Sequence, residues 1–417
     1  MLAGILSSLS TQIIRSSYGY PEPFANTKKL IVERVVSGLA YPTSMAFLGP
    51  NDILVLEKDT GKVQRIINGT MQPQPLLDVN VANQVERGML GVAVSPKHGE
   101  KNKPTYVFLY YTESKRKDGS EPLGNRLYRY ELINNTLVNP KLLLDLPAVP
   151  GPAHNGGVIS IGPDNNIYVV SGNLHTEVYN KGYQDHSLAQ NIKNGREPDG
   201  RGGILRVTQD GQVVNGTGIL GTEYPLNLYY AYGLRNSFGM NFDPVTGKLW
   251  DTENGGLYDE INLVEPGFNS GWEKVIGKAS LQKDFNEENL VNFNGKGKYS
   301  DPEFSWKVTN EFRTAPTALV FFNSDKFGRE YENNMFVGDV NGHIYHFDLN
   351  KDRTQLLLNG SLADKVADNA SEIKGSIFAK APGTITDLAV GPDGYLYVTV
   401  YDKDGTIFRI LPSRTNS

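Results

Sequence analysis

The chain of 417 residues contains no cysteine, which excludes disulfide bridges, thiolate zinc sites and a cysteine nucleophile. It also has no hydrophobic run long enough to span a bilayer, because the apolar segment at residues 1–9 is too short for a membrane helix. Basic residues are not concentrated in one part of the sequence either. The 41 Lys and Arg residues are dispersed and the net charge is −5, so nucleic acid is not an expected partner.

Glycine and proline are abundant, with 44 and 23 residues, as expected for many short strands joined by turns. The most informative pattern is a unit that recurs six times: an apolar strand, a turn rich in Pro, Asp, Asn and Gly, and a second apolar strand. In the clearest copy, the turn at residues 391–394 reads Gly-Pro-Asp-Gly. Weaker copies begin near residues 44, 90, 157, 239 and 317.

Each unit corresponds to one antiparallel sheet that cannot bury both of its faces alone, so the copies must stack on each other. The pattern therefore predicts an all-β fold, a six-bladed β-propeller of four-stranded antiparallel sheets. We expect residues 30–413 to form this single domain, with residues 30–36 pairing with the last blade to close the ring. Residues 1–29 are interpreted as leader and linker, either the remnant of a signal peptide or a disordered leader.

His154 is the one histidine in a setting that suggests chemistry. It stands in the segment Pro-Gly-Pro-Ala-His-Asn-Gly-Gly at residues 150–157, directly before an apolar strand. Proline and glycine on both sides fix the backbone and allow other groups to approach closely. An imidazole there suits a general base near neutral pH. A histidine at the start of a strand is also a common hydrogen-bonded structural residue, and the residues alone leave both interpretations open.

Two further clusters carry polar side chains. In residues 232–240, Arg235 and Asn236 suit a planar anionic ligand, although an arginine that bridges two blades would have the same pattern. Residues 250–262 concentrate carboxylates, amides and glycine carbonyls, which are the oxygen ligands that Ca²⁺ prefers. This acidic segment would also be compatible with a loop that is merely solvated.

Taken in order, these stretches resemble the soluble quinoprotein dehydrogenases of the glucose/sorbosone type, and within them the aldose sugar dehydrogenases. The resemblance covers nearly the whole repeat region. It implies a six-bladed propeller that holds pyrroloquinoline quinone (PQQ) at the mouth of its channel, with Ca²⁺ polarising the quinone. The stretches that carry it are residues 86–91, 154–157, 232–240, 253–263, 269–272, 325–327 and 391–398.

The resemblance implies a role for each matching position. By this resemblance, His154 would be the base that takes the proton from the sugar C1 hydroxyl, and Glu86 would be a catalytic residue beside substrate and quinone, where the family usually has Gln. Arg235 and Asn236 would contact the cofactor near its reactive carbonyls, and Arg235 would also be a catalytic residue. The backbone carbonyls of Gly255 and Gly256 correspond to those that ligate Ca²⁺.

The chain also departs from the family pattern. Thr384 and Thr386 occupy the cofactor-binding places of two arginines, and Asn173 occupies the place of an acidic residue. A lysine expected near residues 338–342 is missing. Because PQQ is a tricarboxylic acid, the loss of the two arginines and the lysine removes cations that would bind it. Arg87 and Arg313 are candidates to replace them.

The predicted function is therefore PQQ- and Ca²⁺-dependent oxidation of the C1 hydroxyl of aldose sugars to lactones, with electrons passed to an external acceptor. One alternative is a non-catalytic ligand-binding propeller of the same family that has lost the quinone. Another is a Ca²⁺-dependent lactone hydrolase, whose metal would be held by side chains such as Glu86, Asn173, Asn236 and Glu253. We expect an extracytoplasmic protein, secreted, periplasmic or on the cell surface, which is a monomer or a homodimer.

Overall fold

The computed structural model describes residues 24–25, 30–95, 104–183, 186–216 and 218–413. Of the predicted leader and linker, residues 1–23 and 26–29 lie outside the described part of the chain. Strands dominate the described segments. None of the helices in these segments has the length and apolar composition needed to cross a membrane.

The strands are numbered in chain order. They are β1 (Phe24–Ala25), β2 (Leu30–Leu39), β3 (Pro42–Gly49), β4 (Asp52–Glu57), β5 (Lys62–Ile67), β6 (Thr70–Met71), β7 (Leu77–Asp78), β8 (Met89–Val94), β9 (Thr105–Ser114), β10 (Pro122–Ile133), β11 (Thr136–Leu146), β12 (Ile159–Ile161), β13 (Ile167–Ser171), β14 (Gly203–Val207) and β15 (Tyr229–Tyr232). The second half contains β16 (Ser237–Phe242), β17 (Leu249–Glu253), β18 (Tyr258–Val264), β19 (Phe268–Asn269), β20 (Lys298–Tyr299), β21 (Phe304–Lys307), β22 (Pro316–Phe321), β23 (Met335–Asp339), β24 (His343–Phe347), β25 (Val366–Ala367), β26 (Ile377–Lys380), β27 (Ile385–Val390), β28 (Leu396–Val400) and β29 (Gly405–Pro412).

The helices are single turns in the connections between strands. One is an α-helix, α1 (Ala370–Ile373), whose first N–H groups are capped by the side chain of Asn369. The others are 3-10 helices at Leu188–Gln190, Val214–Gly216, Leu226–Leu228, Ala279–Leu281, Glu287–Asn289, Gly360–Leu362 and Lys374–Ser376.

The described strands form six hydrogen-bonded sheets. Their strand orders are β3-β4-β5-β6 with β7 beside β5, β8-β9-β10-β11, β12-β13-β14-β15-β19-β20, β16-β17-β18-β21-β25, β22-β23-β24-β26-β1, and β27-β28-β29-β2. The first strand of each sheet contacts the first strand of the next, and β27 contacts β3. The inner strands therefore follow one another in a closed ring around a channel.

The closure of the ring agrees with the sequence prediction. Strand β2 pairs antiparallel with β29, so that Leu30 lies opposite Pro412 and Leu39 lies opposite Gly405. An N-terminal strand thus completes the last sheet and removes exposed strand edges.

The prediction of an all-β propeller is confirmed, but the prediction that every sheet has four antiparallel strands is wrong. Among the described sheets, two have four strands, three have five and one has six. Several added strands are only two residues long, and β19, β20 and β25 join their sheets in parallel. Such short pieces return from long connections to satisfy backbone groups at a sheet edge, and they are too short to carry a hydrophobic period.

The repeated turns use one side-chain device. In the Gly-Pro-Asp-Gly turn, Asp393 accepts a hydrogen bond from the hydroxyl of Tyr397 at 2.9 Å. In the matching turn of another sheet, Asp164 accepts from Tyr168 at 3.0 Å. In these two turns, the aspartate therefore ties the hairpin to the strand that follows it.

Apolar side chains fill the space between neighbouring sheets. Leu54 of β4 and Leu109 of β9 belong to one buried cluster, and Val320 of β22 and Val398 of β28 belong to another. Strand β28 is buried at all of its positions because neighbouring sheets cover both of its faces. This packing holds the inner strands and their loops in fixed positions around the channel.

Candidate active site

A cavity in the channel is lined by residues on or beside the inner strand of every sheet. Three of the predicted site residues, Glu86, Thr384 and Thr386, line it directly. His154 and Asn236 are hydrogen-bonded to Glu86, and Asn173 is hydrogen-bonded to His154. Arg235 directly precedes Asn236 in the chain. The polar residues of the cavity wall are Thr43, Ser44, Lys58, Glu86, Thr317, Thr384, Thr386 and Asp387.

The proton on His154 is assigned by its neighbours. Nδ1 of His154 lies 2.6 Å from Oδ1 of Asn173, and the same oxygen accepts the backbone N–H of His175 at 3.2 Å. An N–H group can donate only to the oxygen of an amide, so the orientation of Asn173 is fixed and Nδ1 of His154 carries the proton. Nε2 of His154 therefore keeps its lone pair. It is buried and has no hydrogen-bond partner among the described residues.

The backbone around His154 is held in a conformation that brings the imidazole into the protein. His154 has a φ of 60°, in the left-handed region that few non-glycine residues adopt. Gly172 packs against it so closely that an added Cβ would lie 2.3 Å from the carbonyl oxygen of His154. The end of β13 can approach His154 only because this position is a glycine.

Burial and charge keep the imidazole neutral. His154 is 1% exposed. Burial lowers the pKa of His154 well below its ordinary value, and the positive charge of Arg235 lowers it further. A neutral imidazole with a free Nε2 lone pair is the form that accepts a proton in general-base catalysis.

Glu86 links the cavity to His154. Its Oε2 accepts the backbone N–H of His154 at 2.7 Å and Nδ2 of Asn236 at 3.1 Å. Burial raises the pKa of Glu86, which favours the neutral acid. Because Oε2 already accepts two N–H donors, the proton of the neutral acid belongs on Oε1, which has no partner among the described residues. Neutral Glu86 then presents one donor, as a glutamine would.

Arg235 and Asn236 lie side by side directly before β16. Nη1 of Arg235 donates to the carbonyl of Asn254 at 2.6 Å, and its guanidinium lies 5.4 Å from the ring centre of Trp272. Burial lowers the pKa of Arg235, while the acidic groups Glu86, Asp259 and Glu253 oppose the shift to the extent that they are ionised. Oδ1 of Asn236 is buried without a partner among the described residues.

The acidic segment is buried, so the alternative of a solvated loop is wrong. Asp251, Glu253, Asp259 and Glu260 are at most 4% exposed. Burial raises the pKa of Asp251 and of Asp259 to about 7 each, and it also raises those of Glu253 and Glu260.

These carboxylates hold the backbone of the site. Glu253 accepts the backbone N–H of Arg235 at 2.5 Å, and Asp259 accepts that of Gly255 at 3.1 Å. In the described part of the chain, no three His, Asp or Glu side chains are arranged to hold a metal ion. The acidic segment therefore positions Arg235 and the glycine loop through hydrogen bonds.

The two glycines predicted to hold Ca²⁺ lie within this segment, between Glu253 and Asp259. Gly255 is buried and Gly256 is partly buried. No hydrogen bond between described residues ends on either carbonyl oxygen. Both oxygens are thus available to a hard cation, which prefers such ligands.

Thr384 and Thr386 line the cavity, but their hydroxyls are already engaged. Thr384 donates to the carbonyl of Val340 at 2.8 Å, and Thr386 donates to the carbonyl of Pro42 at 2.9 Å. They therefore tie neighbouring inner segments together. An engaged hydroxyl still has lone pairs, but it offers no donor to an anionic ligand.

The candidate replacement cations are engaged elsewhere. Arg87 donates to the carbonyls of Ala148 and Pro150, and exposed Arg313 donates to its own turn at Thr309. Neither lines the cavity. The cation at the cavity is Lys58, which the sequence reasoning missed. Its position directly after β4, at the same end of a repeat as the other site residues, was the available signal.

Comparison with known proteins identifies related chains. The family model for glucose/sorbosone dehydrogenase matches residues 39–409. The chain is 24% identical to aldose sugar dehydrogenase YliI of Escherichia coli (strain K12) over 397 residues, which is 91% of this chain and 92% of that protein. It is 30% identical to quinoprotein glucose dehydrogenase B of Acinetobacter calcoaceticus over 277 residues, 62% of this chain and 55% of that protein.

Solved structures give the same architecture. The PQQ-bound aldose sugar dehydrogenase of Streptomyces coelicolor matches with a TM-score of 0.63 and 22% identity, covering 94% of this chain and all of that chain. At this level of identity, the likeness concerns the fold.

The raised pKa of Asp251 predicts how stability depends on pH. In the folded protein, Asp251 keeps its proton up to about pH 7, whereas in the unfolded protein it loses the proton near its ordinary pKa of 3.8. The contribution of Asp251 to the free energy of unfolding is therefore lost as the pH rises from 3.8 to about 7. Asparagine resembles the neutral acid and does not ionise. We compare the free energy of unfolding of Asp251→Asn with that of wild type at each pH. We expect this difference to shift in favour of Asp251→Asn by about 2 kcal/mol from about pH 5 to about pH 8.

Urea unfolding at the two pH values measures this difference. Glu121→Gln is the matched control, because the Glu121 side chain is 78% exposed. A variant that is less stable than wild type by the same amount at both pH values would contradict the assignment of a neutral Asp251.

Proposed function

Since the chain belongs to the glucose/sorbosone dehydrogenase family, we propose that it oxidises the C1 hydroxyl of aldose sugars to lactones, using PQQ and Ca²⁺ and passing the electrons to an external acceptor. The observation that carries the proposal is the state of His154. Its Nε2 is neutral, buried and without a partner among the described residues, while Nδ1 is engaged by Asn173.

In the proposed reaction, His154 removes the hydroxyl proton of the sugar. Nε2 of His154 binds that proton as the C1–O bond gains double-bond character and the C1 hydrogen leaves with its electron pair. Oδ1 of Asn173 accepts a hydrogen bond from Nδ1–H of His154 throughout and stabilises the imidazolium that forms. PQQ, when bound, supplies the two-electron oxidant that takes the hydride. Burial of the site limits competing reactions with water.

The buried atoms without partners support binding of PQQ at its reactive end. Oδ1 of Asn236 and Oε1 of Glu86 are among them. Of the guanidinium nitrogens of Arg235, only Nη1 donates a hydrogen bond to another described residue. Arg235 and Asn236 would hold the quinone near its reactive carbonyls, with the Trp272 ring against the guanidinium. The carbonyls of Gly255 and Gly256 would bind Ca²⁺. The names of the relatives, aldose sugar dehydrogenase and quinoprotein glucose dehydrogenase, agree with this chemistry.

A non-catalytic binding propeller is the second candidate. The engaged hydroxyls of Thr384 and Thr386 favour it, because they replace two cations expected for PQQ. The lactone hydrolase is less well supported, since its metal requires converging side-chain oxygens. Among the described candidates, Glu86 bonds to Asn236, and Asn173 bonds to His154.

Replacement of His154 tests its role as the base. We expect His154→Ala to lower turnover of aldoses by about 100-fold to 10,000-fold, which is the usual contribution of a general base. PQQ affinity, measured by absorbance titration, should stay near that of wild type. The control is His343→Ala, because His343 lies on β24, which contributes no residue to the cavity. Unchanged turnover in His154→Ala would refute the assignment.

Glu86→Gln tests whether Glu86 acts as a neutral donor. Glutamine keeps an acceptor oxygen and places an NH2 donor group where neutral Glu86 has its O–H, so we expect turnover within a few-fold of wild type near neutral pH. Because ionisation of Glu86 removes the Oε1 proton, wild-type activity should decline as the pH rises through the raised pKa of Glu86, and the decline should be absent in Glu86→Gln. Glu86→Leu should be inactive. Loss of turnover in Glu86→Gln at every pH would show that a carboxylate is required.

Removal of metal tests the glycine loop. We expect a chelator to lower the melting temperature and Ca²⁺ to restore it, because a ligand of the folded state stabilises that state. Mg²⁺ should restore little, since it requires a smaller octahedral arrangement. A melting temperature that responds to neither chelator nor Ca²⁺ would leave Gly255 and Gly256 without a metal role.

A further inference from the structure

Lys58 follows β4 and lies at the wall of the same cavity as Glu86, Thr384 and Thr386. We propose that Lys58 is the cation that binds a carboxylate of the anionic cofactor, in place of the two positions now held by Thr384 and Thr386. This inference rests on the proposed function, because it names a residue for the cofactor assigned there.

The position of Lys58 is fixed by the protein. Lys58 is 5% exposed. Its Nζ donates to the carbonyl of Arg87 at 3.1 Å and to that of Asn83 at 3.3 Å, and it pairs with the carboxylate of Asp59. The ammonium is therefore held beside the loop that carries Glu86. A fixed cation loses little conformational freedom when a ligand binds, which strengthens its attraction for an anion.

The charges around Lys58 leave its own charge effective. The other ionisable carboxyls on the cavity wall are Glu86 and Asp387, and burial raises the pKa of both, that of Asp387 to about 7. The neutral acid is therefore favoured for Glu86, and Asp387 is mainly neutral below about pH 7. Asp59 is the carboxylate that faces Lys58 directly, and its side chain is 32% exposed, so solvent screens that pair. A buried anionic ligand is screened less and can compete with Asp59 for the ammonium.

The ligand for which this arrangement is suited carries a carboxylate beside an uncharged region. The cavity wall near Lys58 contains Val85, Leu90, Val158 and Phe238 in addition to the threonines. Apolar residues pack against a flat ring system, and one cation neutralises one acid group. Removal of a charge-assisted hydrogen bond of this kind weakens binding by about 10-fold to 100-fold.

Titration with a charged and an uncharged ligand tests the proposal. PQQ and its trimethyl ester, which lacks the negative charges, are titrated into wild type, Lys58→Met, Lys58→Arg and Asp59→Asn in the presence of Ca²⁺, with absorbance as the readout. We expect Lys58→Met to bind PQQ about 10-fold to 100-fold more weakly than wild type and the ester equally well. Lys58→Arg should stay within a few-fold of wild type. Asp59→Asn should bind PQQ more tightly, because it removes the competing carboxylate.

The outcomes separate the two proposals. If wild type binds PQQ and Lys58→Met loses PQQ and ester to the same extent, Lys58 serves only to hold the loop and the inference is overturned. Equal PQQ affinity in wild type and Lys58→Met also overturns it, while the proposed function stands. Failure of wild type to bind PQQ overturns the proposed function and with it the inference. If Lys58→Met does not fold, Asp59→Asn provides the test. PQQ affinity in Asp59→Asn that is weaker than or equal to that of wild type would overturn the role of Lys58. The matched control is Lys115→Met, since Lys115 is half exposed and pairs with Glu121.

Discussion

The site depends on one constraint: its polar atoms are withdrawn from water and must find partners inside the protein. His154, Asn173 and Glu86 are each at most 3% exposed. Backbone N–H groups satisfy Oδ1 of Asn173 and Oε2 of Glu86, and this leaves Nε2 of His154, Oε1 of Glu86 and Oδ1 of Asn236 without partners among the described residues. Such atoms are costly when nothing binds them. A ligand rich in hydroxyl and carbonyl groups would satisfy them, which connects the fold to the proposed oxidation of sugars.

Most of the architecture follows from the sequence because the repeats impose it. The Gly-Pro-Asp-Gly turn at residues 391–394 and the flanking apolar strands indicate a hairpin, and a hairpin with two apolar faces must be covered on both sides. Closure by β2 follows from the same reasoning. The two-residue strands β19 and β25 do not follow, because they depend on where long connections return to a sheet edge and carry no periodic signal of their own.

Sequence patterns single out candidate site residues whose type has a specific chemistry, and they do not single out residues whose place in the site depends on long-range contacts. His154, Arg235 and Asn236 stand out as residues with chemistry, and the structure brings them together around Glu86. Lys58 is an ordinary lysine in the sequence, and only the folded chain places it at the cavity. Conversely, the acidic segment at residues 251–260 reads as polar in the sequence, yet hydrogen bonds to backbone N–H groups allow it to be buried. Burial of this kind depends on long-range contacts that local composition does not encode.

The most direct test of the account is the oxidation of glucose carrying deuterium at C1 by protein reconstituted with PQQ and Ca²⁺, followed by reduction of an artificial dye. The account predicts that dye reduction requires both PQQ and an aldose, and that the deuterated sugar reacts more slowly than the protonated sugar in a single turnover, because the C1–H bond breaks while Nε2 of His154 takes the hydroxyl proton. Absence of sugar-dependent dye reduction by the reconstituted protein would contradict the account and leave a propeller that binds a ligand without oxidising it.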